Sequence, residues 1–470
     1  MKRIVLILSV ILLSISAFAQ QPKYVFYFIG DGMGANTIQL TEMFRASMKG
    51  ELGTDPLCMT QFPVATMSTH FSANRNTTDS AASGTALATG KKTNNGRIGI
   101  GPDGEERYMT IAEMAARSGK KVGIVTTTGI NHATPAAFSA HQPDRGMYYE
   151  IALDQIENGF DFYAGAAIYK EDKSFDGKKM DPIRPKFEAA GYTICNYQEF
   201  QDSWQSAEKV LMLPGNGQAV TYNIDTISDG PENQDRHLTL SQMVESAITF
   251  LMKDNKKGFF LMAEGSEVDH GAHSNDAATT IQEIIDLDNA VRIAFEFYKK
   301  YPKQTLIVVT SDHDTGSLAL LPGNASDLTK LSFQKHSLNV ISDMMKAQIN
   351  KDERALSWEE TKTFLEENFG LWTKVPMTWD DEKMLRDIYE TTVARRQAGS
   401  VKDLYADNAK IAAAAMRLLN NKSRVFWQSG SHSAAYTPVF AIGAGSEKLS
   451  HKTDNAVLCQ DIMKIMGLVK

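Results

Sequence analysis

Tyr24-Val25-Phe26-Tyr27-Phe28-Ile29-Gly30-Asp31-Gly32-Met33-Gly34 is the stretch on which the fold turns. Its first six residues are all apolar or aromatic, and they end at a glycine-rich turn that carries one carboxylate. A strand with one wet face alternates apolar and polar residues. An unbroken apolar run fits a strand covered on both faces, as in a parallel sheet. The pattern recurs at Lys121 to Thr127, Gly258 to Ala263 and Thr305 to Val309. Stretches with helical spacing flank these runs, among them Met109 to Ser118 and Ala277 to Lys299. Alternating strand and helix predicts an α/β fold, a doubly wound, mostly parallel central sheet flanked by helices. Asp31, Thr134, Glu264 and Asp312 fall at or just beyond strand ends, the edge along which open α/β sheets bind ligands.

The chain has 470 residues and is 43% hydrophobic, enough for a large buried core. Its net charge of −7 supplies no cationic surface, so no nucleic-acid binding is expected. Three cysteines (Cys58, Cys195 and Cys459) allow at most one internal disulfide and exclude a cysteine-built zinc finger. Residues 1–19 read as a signal peptide. Lys2 and Arg3 precede an apolar run from Ile4 to Phe18, and Ala17-Phe18-Ala19 offers a small-x-small cleavage site. The run is short for a membrane span and no basic stop follows it. The expectation is an exported protein, periplasmic or secreted, with no membrane anchor and one domain over residues 20–470. From about 325 to 423 the chain is charged, rich in helix formers and marked by Trp358, Trp372 and Trp379. This stretch reads as a mainly helical insertion, either a lid or a surface elaboration.

Five clusters carry chemistry. Asp31 sits among Gly30, Gly32 and Gly34, which let the backbone turn tightly and approach a ligand. The G-x-G-x-x-G spacing is incomplete, and a carboxylate there would repel pyrophosphate, which leaves a cation ligand or a structural turn. Thr78-Asp79-Ser80 opens a small-residue segment, Ala81 to Gly90, that should be a helix capped by Thr78 or Asp79. A serine hydroxyl at a helix start feels the positive end of the dipole, which favours alkoxide and phosphate; a merely close-packed helix is the alternative. Glu264 ends a strand, and Asp269 and His273, four apart, share one helix face with His270 turned elsewhere. Asp312-His313 follows a strand; adjacent residues can face one ion only where a strand has ended. His432 lies in Gln428-Ser429-Gly430-Ser431-His432-Ser433. Arg145, about ten residues past Thr134-Pro135-Ala136, offers a planar fork suited to phosphate oxygens. Taken singly, each also fits a plain reading: an acidic loop, a satisfied buried histidine, a surface arginine.

In combination and order, these residues resemble the serine-nucleophile alkaline phosphatases. The match runs from Asp31 to His432, and Thr78-Asp79-Ser80-Ala81-Ala82-Ser83-Gly84-Thr85-Ala86 is similar to the family's nucleophile signature. The resemblance implies a catalytic domain in which Ser80 is the nucleophile, Arg145 clamps phosphate and Asp79 orients Arg145. It implies that Asp269, His273 and His432 hold one Zn2+, and that Asp31, Asp312 and His313 hold a second, completed by Ser80. A third site, usually Mg2+, would be shared by Asp31, Thr134 and Glu264. His132 and His270 stand beside it, where some bacterial members carry aspartate and lysine and animal members carry histidine. Thr315 stands where many members have a second histidine after Asp-His, which leaves one supporting hydrogen bond in question.

The implied reaction is hydrolysis of phosphate monoesters to alcohol and inorganic phosphate through a phosphoserine. Paired zinc ions would flank an in-line displacement. A broad range of small phosphate monoesters, an alkaline preference and a homodimer, common in the family, follow from the same resemblance. Two rivals stand against it. A phosphodiesterase or nucleotide pyrophosphatase of the same superfamily gains less from an arginine clamp. A non-enzymatic exported metal- or phosphate-binding protein leaves a serine at a helix start unexplained.

Overall fold

A computed structural model describes residues 21–215, 222–230, 238–321, 323–352, 355–395 and 404–470. The expected signal segment, 1–19, lies outside the described residues. In chain order the first strands are β1 (Tyr24–Gly30), β2 (Val64–Thr69), β3 (Lys121–Thr126), β4 (Phe162–Ala164), β5 (Tyr192–Cys195) and β6 (Lys209–Met212). β7 (Phe259–Gly265) and β8 (Thr305–Thr310) follow, then the short β9 (Asp314–Thr315), β10 (Leu318–Leu320), β11 (Val425–Trp427) and β12 (His432–Ser433). The last are β13 (Thr437–Gly443) and β14 (Thr453–Asp454). Ten of them form one sheet, in the order β14-β2-β13-β8-β1-β7-β3-β4-β6-β5. β13 is antiparallel to both β2 and β8, and every other pairing is parallel, so the sheet is mostly parallel as expected.

The unbroken apolar runs occupy the middle of this sheet, where both faces are covered. Phe26, Phe28, Leu261, Ile307 and Val309 feed one core layer. Their neighbours Val25, Tyr27, Ile29, Met262, Leu306 and Val308 feed the layer on the opposite face. Successive side chains of a strand point to opposite faces, so one run supplies two cores. Register fixes the functional edge. Ile29 lies level with Glu264 on one side and Thr310 on the other, and Thr126 is level with Glu264 on the far side of β7. The residues that follow Ile29 and Thr310, together with Glu264, therefore emerge side by side.

The stretch from 325 to 422 contains helices Ala325–Leu328, Leu338–Asp352, Trp358–Phe369, Trp379–Thr391 and Leu404–Lys422. Local signals set their ends. Ser357 and Thr378 each form a capping box with the residue three on, and left-handed Gly370 closes the Trp358 helix. Leu331, Ile341, Leu365, Leu385 and Leu419 make an apolar cluster of their own. That cluster continues into Leu40 and Phe44 of helix Ala35–Met48 and into Ala277 and Ile281 of helix Ala277–Lys300. Among the described residues, no helix is long and apolar enough to cross a membrane. Cys58, Cys195 and Cys459 are buried and unpaired with one another.

Candidate active site

The sheet edge gathers Asp31, Glu264, Asp312, His313, Thr134 and His432 from five chain segments. Asp31 follows β1, and its backbone N–H donates to the Gly265 carbonyl at 3.1 Å, which locks the β1 turn to the end of β7. Glu264 is the penultimate residue of β7. Asp312 and His313 lie just past β8, where the extended alternation has ended and both can face one point. Thr134 sits further along than the sequence suggested, at the second residue of helix Ala133–Ser139 rather than at the strand end. His432 is delivered by tertiary pairing alone: β12 runs antiparallel to β9, with His432 opposite Thr315. All of these except His432 are fully buried or nearly so.

One constellation centres on His313. Its Nε2 lies 3.2 Å from Ser80 Oγ, 3.4 Å from Asp31 Oδ1 and 3.2 Å from Asp312 Oδ2. The proton on its ring is assigned by its neighbours. Thr315 Oγ1 donates to Asp269 Oδ1 at 2.5 Å, so it accepts from His313 Nδ1 at 3.2 Å. Nε2 is left as a lone pair pointing at the two carboxylates and the serine. Burial keeps this imidazole neutral, its pKa held well below the ordinary value. Asp312 is divided in the same way: Oδ1 accepts from the backbone N–H of Gly32 (3.1 Å) and of His313 (2.9 Å), and Oδ2 accepts none. Thr315, which stands where the resemblance expects a second histidine, thus hydrogen-bonds both Asp269 and His313 through its hydroxyl.

The second constellation repeats this logic. His273 Nδ1 donates to the Gly430 carbonyl at 2.7 Å, and His432 Nδ1 donates to the Thr78 carbonyl at 3.0 Å. Carbonyls only accept, so Nδ1 carries a proton in both rings, and Nε2 is in each the nitrogen that faces Asp269. The two Nε2 atoms lie 3.1 Å apart, with Asp269 Oδ2 3.2 Å from His273 Nε2 and Asp269 Oδ1 3.8 Å from His432 Nε2. Asp269 and His273 share a face of helix Glu267–His273, as their spacing of four predicts. Gly430 has no room for a side chain, since a Cβ there would lie 2.8 Å from the His273 carbonyl. The constellations touch, because the His313 and His432 rings stack with centroids 3.6 Å apart.

The donor set fits divalent cations. Asp31, Asp312 and His313 each place one ligand atom within 4.8 Å of the others, and so do Asp269, His273 and His432. Both oxygens of Asp31, Asp312 Oδ2, Glu264 Oε1 and Thr134 Oγ1 are buried and accept no hydrogen bond. Buried oxygens of this kind are costly without a partner. Burial and mutual repulsion push the carboxyls up: Asp31 well above its ordinary range, Asp312 to about 8, and Glu264 to about 7 chiefly by burial. Burial alone would raise Asp269 as well, but the imidazoles of His273, His313 and His432 hold it well below. A cation among these groups supplies the missing partner and keeps every carboxylate ionised.

Asp79, not Thr78, caps the helix that Ser80 opens. Its Oδ1 accepts from Ala82 N at 3.0 Å, so Ser80 is the first residue of helix Ser80–Thr89, which left-handed Gly90 ends. Asp79 Oδ2 accepts from Gly96 N at 3.0 Å and from Arg145 Nη1 at 3.1 Å. Arg145 Nη2 donates to His132 Nε2 at 3.2 Å. Burial, with Arg145 and His270 nearby, lowers His132 to about 3. The His132 and His270 ring centroids are 6.2 Å apart. A hydrogen bond to Glu267, 2.9 Å from His270 Nδ1, raises His270 to about 9. Arg145 keeps a side-chain exposure of 30%, so its guanidinium reaches solvent beside the buried carboxylates.

Comparison with known proteins adds independent support. The Alkaline phosphatase family model matches residues 22–173 and 170–468. Alkaline phosphatase 4 of Bacillus subtilis is 32% identical over 457 residues, 94% of this chain and 89% of that relative. Escherichia coli alkaline phosphatase is 33% identical over 345 residues, 64% of this chain and 72% of that relative. A cold-active alkaline phosphatase from the psychrophile Shewanella sp. superposes with a TM-score of 0.76 at 25% identity, covering 94% of this chain and 99% of that one. The Thermus thermophilus alkaline phosphatase gives 0.77 at 24% identity, covering 96% and 92%, which bears on the fold alone. Fold and relatives together define a phosphatase whose carboxylate and imidazole clusters fit metal ions. The chain belongs to the alkaline phosphatase family.

Several supporting groups left no signal in the sequence. Thr126 hydrogen-bonds Glu264 Oε2 and leaves its other oxygen free. Ser83 Oγ donates to the Asp312 carbonyl at 2.7 Å, tying helix Ser80–Thr89 to Asp312, 229 residues away. The Thr78 and Gly430 carbonyls set two histidine tautomers, and backbone carbonyls have no residue signature at all.

Proposed function

We propose that this protein hydrolyses phosphate monoesters to alcohol and inorganic phosphate, with Ser80 as nucleophile and a phosphoserine as the intermediate. One observation carries the reading. Ser80 Oγ, Asp31 Oδ1 and Asp312 Oδ2 lie within 3.4 Å of His313 Nε2, and the residue before the serine holds Arg145. Asp269, His273 and His432 would hold one ion, and Asp31, Asp312 and His313 a second, both zinc by their mixed imidazole and carboxylate donors. Asp31, Thr134 and Glu264 offer only oxygens and would hold a third, suited to magnesium. The TAB5 alkaline phosphatase with magnesium bound in its M3 site, 27% identical with a TM-score of 0.64, is a histidine-to-aspartate mutant, so it bears on magnesium at a site to which a carboxylate has been added. When bound, such ions lower the pKa of a hydroxyl or a water and neutralise charge that builds on oxygen.

The chain's own groups do the rest. Ser80 Oγ attacks phosphorus from a first helical turn, whose dipole and open N–H groups favour an anion. Arg145 holds phosphoryl oxygens where charge spreads in the transition state, aimed by Asp79 from the adjoining position. The alcohol leaves, water attacks the phosphoserine, and Ser80 is regenerated. The converging groups all serve the phosphoryl, so a broad range of alcohols is accepted. Serine and water must lose protons while His273 and His432 keep free lone pairs, which favours neutral to alkaline pH. Residues 325–423 stand as an insertion in this catalytic domain, and residues 1–19 as an export signal.

Ser80→Ala should abolish turnover of an aryl phosphate while inorganic phosphate still binds. Unchanged turnover in that variant removes Ser80 from the mechanism. The aryl phosphate should outrun its bis-aryl diester; the reverse order selects the phosphodiesterase reading. Mass measurement of the exported chain should show residues 1–19 removed.

A further inference from the structure

His141 touches none of the proposed metal ligands. It lies at the floor of a polar cleft lined by Arg107, Glu113, Arg117, Asp154 and Glu157. Its Nε2 is 2.9 Å from Glu113 Oε1, its Nδ1 is 2.8 Å from the Gly99 carbonyl, and its backbone N–H donates to Asp154 Oδ2 at 2.8 Å. A carboxylate and a carbonyl only accept, so serving both requires an imidazolium that donates from both nitrogens. Burial on its own would pull the ring's pKa down. The Glu113 carboxylate, the Gly99 carbonyl and Asp154 outweigh it and hold it above the ordinary histidine value. The charged groups that face the ring are Glu113 from helix Ile111–Arg117 and Asp154 from helix Tyr148–Asn158, the latter also near Arg107. Arg117 and Glu157 complete the rim.

The carbonyl that this ring holds belongs to the segment that carries the proposed phosphate clamp. Ile98 and Gln142 exchange two backbone hydrogen bonds of 2.9 Å, and Arg145 N donates to the Gly96 carbonyl at 2.7 Å. Residues 96–99 thus run antiparallel to 141–145, with His141 against Gly99 at one end and Arg145 against Gly96 at the other. Gly96 N–H in turn donates to Asp79 Oδ2, the oxygen that takes Arg145 Nη1. Gly99 cannot retreat from the ring without cost. Thr85 Oγ1 accepts from Gly99 N at 3.0 Å, so drawing Gly99 away from the ring breaks that bond as well.

We propose that His141 is a positioning residue for Arg145: its doubly donating ring fixes Gly99, and through residues 96–99 it fixes both the Arg145 backbone and the Asp79 carboxylate that aims the guanidinium. The proposal rests on the reading of Arg145 as the phosphate clamp. Glu113 acts at one remove, by keeping the ring charged and in place. The pH direction follows. As pH rises through the raised pKa the ring loses one proton, one acceptor then faces a lone pair, and the clamp loosens. Substrate binding weakens on the alkaline side, while bond making at Ser80 is touched less.

The test is kcat and KM for an aryl phosphate, with the metal-loaded full chain, across neutral and alkaline pH. It compares wild type, His141→Gln, Glu113→Gln, Arg145→Ala and the double variant Arg145→Ala with His141→Gln. His141→Gln should raise KM on the order of tenfold, the worth of one hydrogen bond to a charged group, and move kcat less. Glu113→Gln should shift the alkaline rise in KM to lower pH, because a neutral amide no longer retains the ring proton. In the Arg145→Ala background His141→Gln should add nothing, since residues acting through one group are not additive. An unchanged KM in His141→Gln, or a loss that adds in full to Arg145→Ala, overturns the proposal. If His141→Gln does not fold, Glu113→Gln decides, and an alkaline limb that stays in place overturns it. An Arg145→Ala variant with normal KM shows a different failure, that of the clamp reading itself.

Discussion

Thr315→Val removes one oxygen and leaves the volume of a fully buried side chain almost unchanged. That oxygen serves two proposed ligands at once, donating to Asp269 Oδ1 and accepting from His313 Nδ1. Without it the His313 N–H is buried with no acceptor, at a cost of about 1–3 kcal/mol. Asp269 loses a short charge-assisted bond worth about 1.5–3 kcal/mol. A bound ion still orients both ligands and recovers part of the loss. The net expectation is zinc retention weakened about 10- to 100-fold, the usual cost of losing an outer-sphere partner. The assay is zinc competition against a chromophoric chelator, with turnover measured at limiting and at saturating zinc. Activity should fall at limiting zinc and return in large part at saturation. Thr315→Ser should recover most of the affinity, because it keeps the hydroxyl. Zinc affinity within a factor of two of wild type in Thr315→Val, or a serine variant no better than the valine one, would refute the reasoning.

Other expectations follow from the same site. Exhaustive chelation should end turnover, and zinc with magnesium should restore it; activity indifferent to chelation would contradict the metal assignment. In metal-stripped protein Asp312 titrates near 8 and Glu264 near 7, both above the values of an unfolded chain. The folded form then binds more protons, so stability is present at acidic pH and is lost as pH rises through these values. Above neutral pH, where the buried and neutral His132 and His313 no longer act in the opposite sense, the melting temperature of stripped protein should fall as pH rises, and added zinc should remove that fall. Gly32→Ala should impair metal binding on two counts. Gly32 has a φ of +69°, where a side chain costs about 1–2 kcal/mol, and a Cβ there would lie 2.7 Å from Asp269 Oδ1. Zinc titration of that variant with wild-type affinity would refute the crowding argument. Asp79→Ala removes a helix cap worth about 1 kcal/mol and frees Arg145. It should lower the melting temperature and raise KM together, and a change in only one of the two would separate those roles.

The amino-acid sequence alone specifies the sheet's centre, because four apolar runs have no stable home except between two covered faces. It also specifies which residue types gather at the edge, since Asp31, Asp312 and His313 follow strands whose ends the register makes level. Asp269 and His273 were legible from helical period alone. The short or alternating strands escaped it: β4 has three residues, and β2 alternates between buried and exposed positions. Only packing set β13 against its neighbours, brought His432 on β12 opposite Thr315, and placed the Thr315 hydroxyl between Asp269 and His313. Backbone carbonyls, hydroxyl directions and histidine tautomers depend on which atom faces which, and that is set only when distant segments pack. Periodicity along one segment records which face is buried and does not record what waits on the other side.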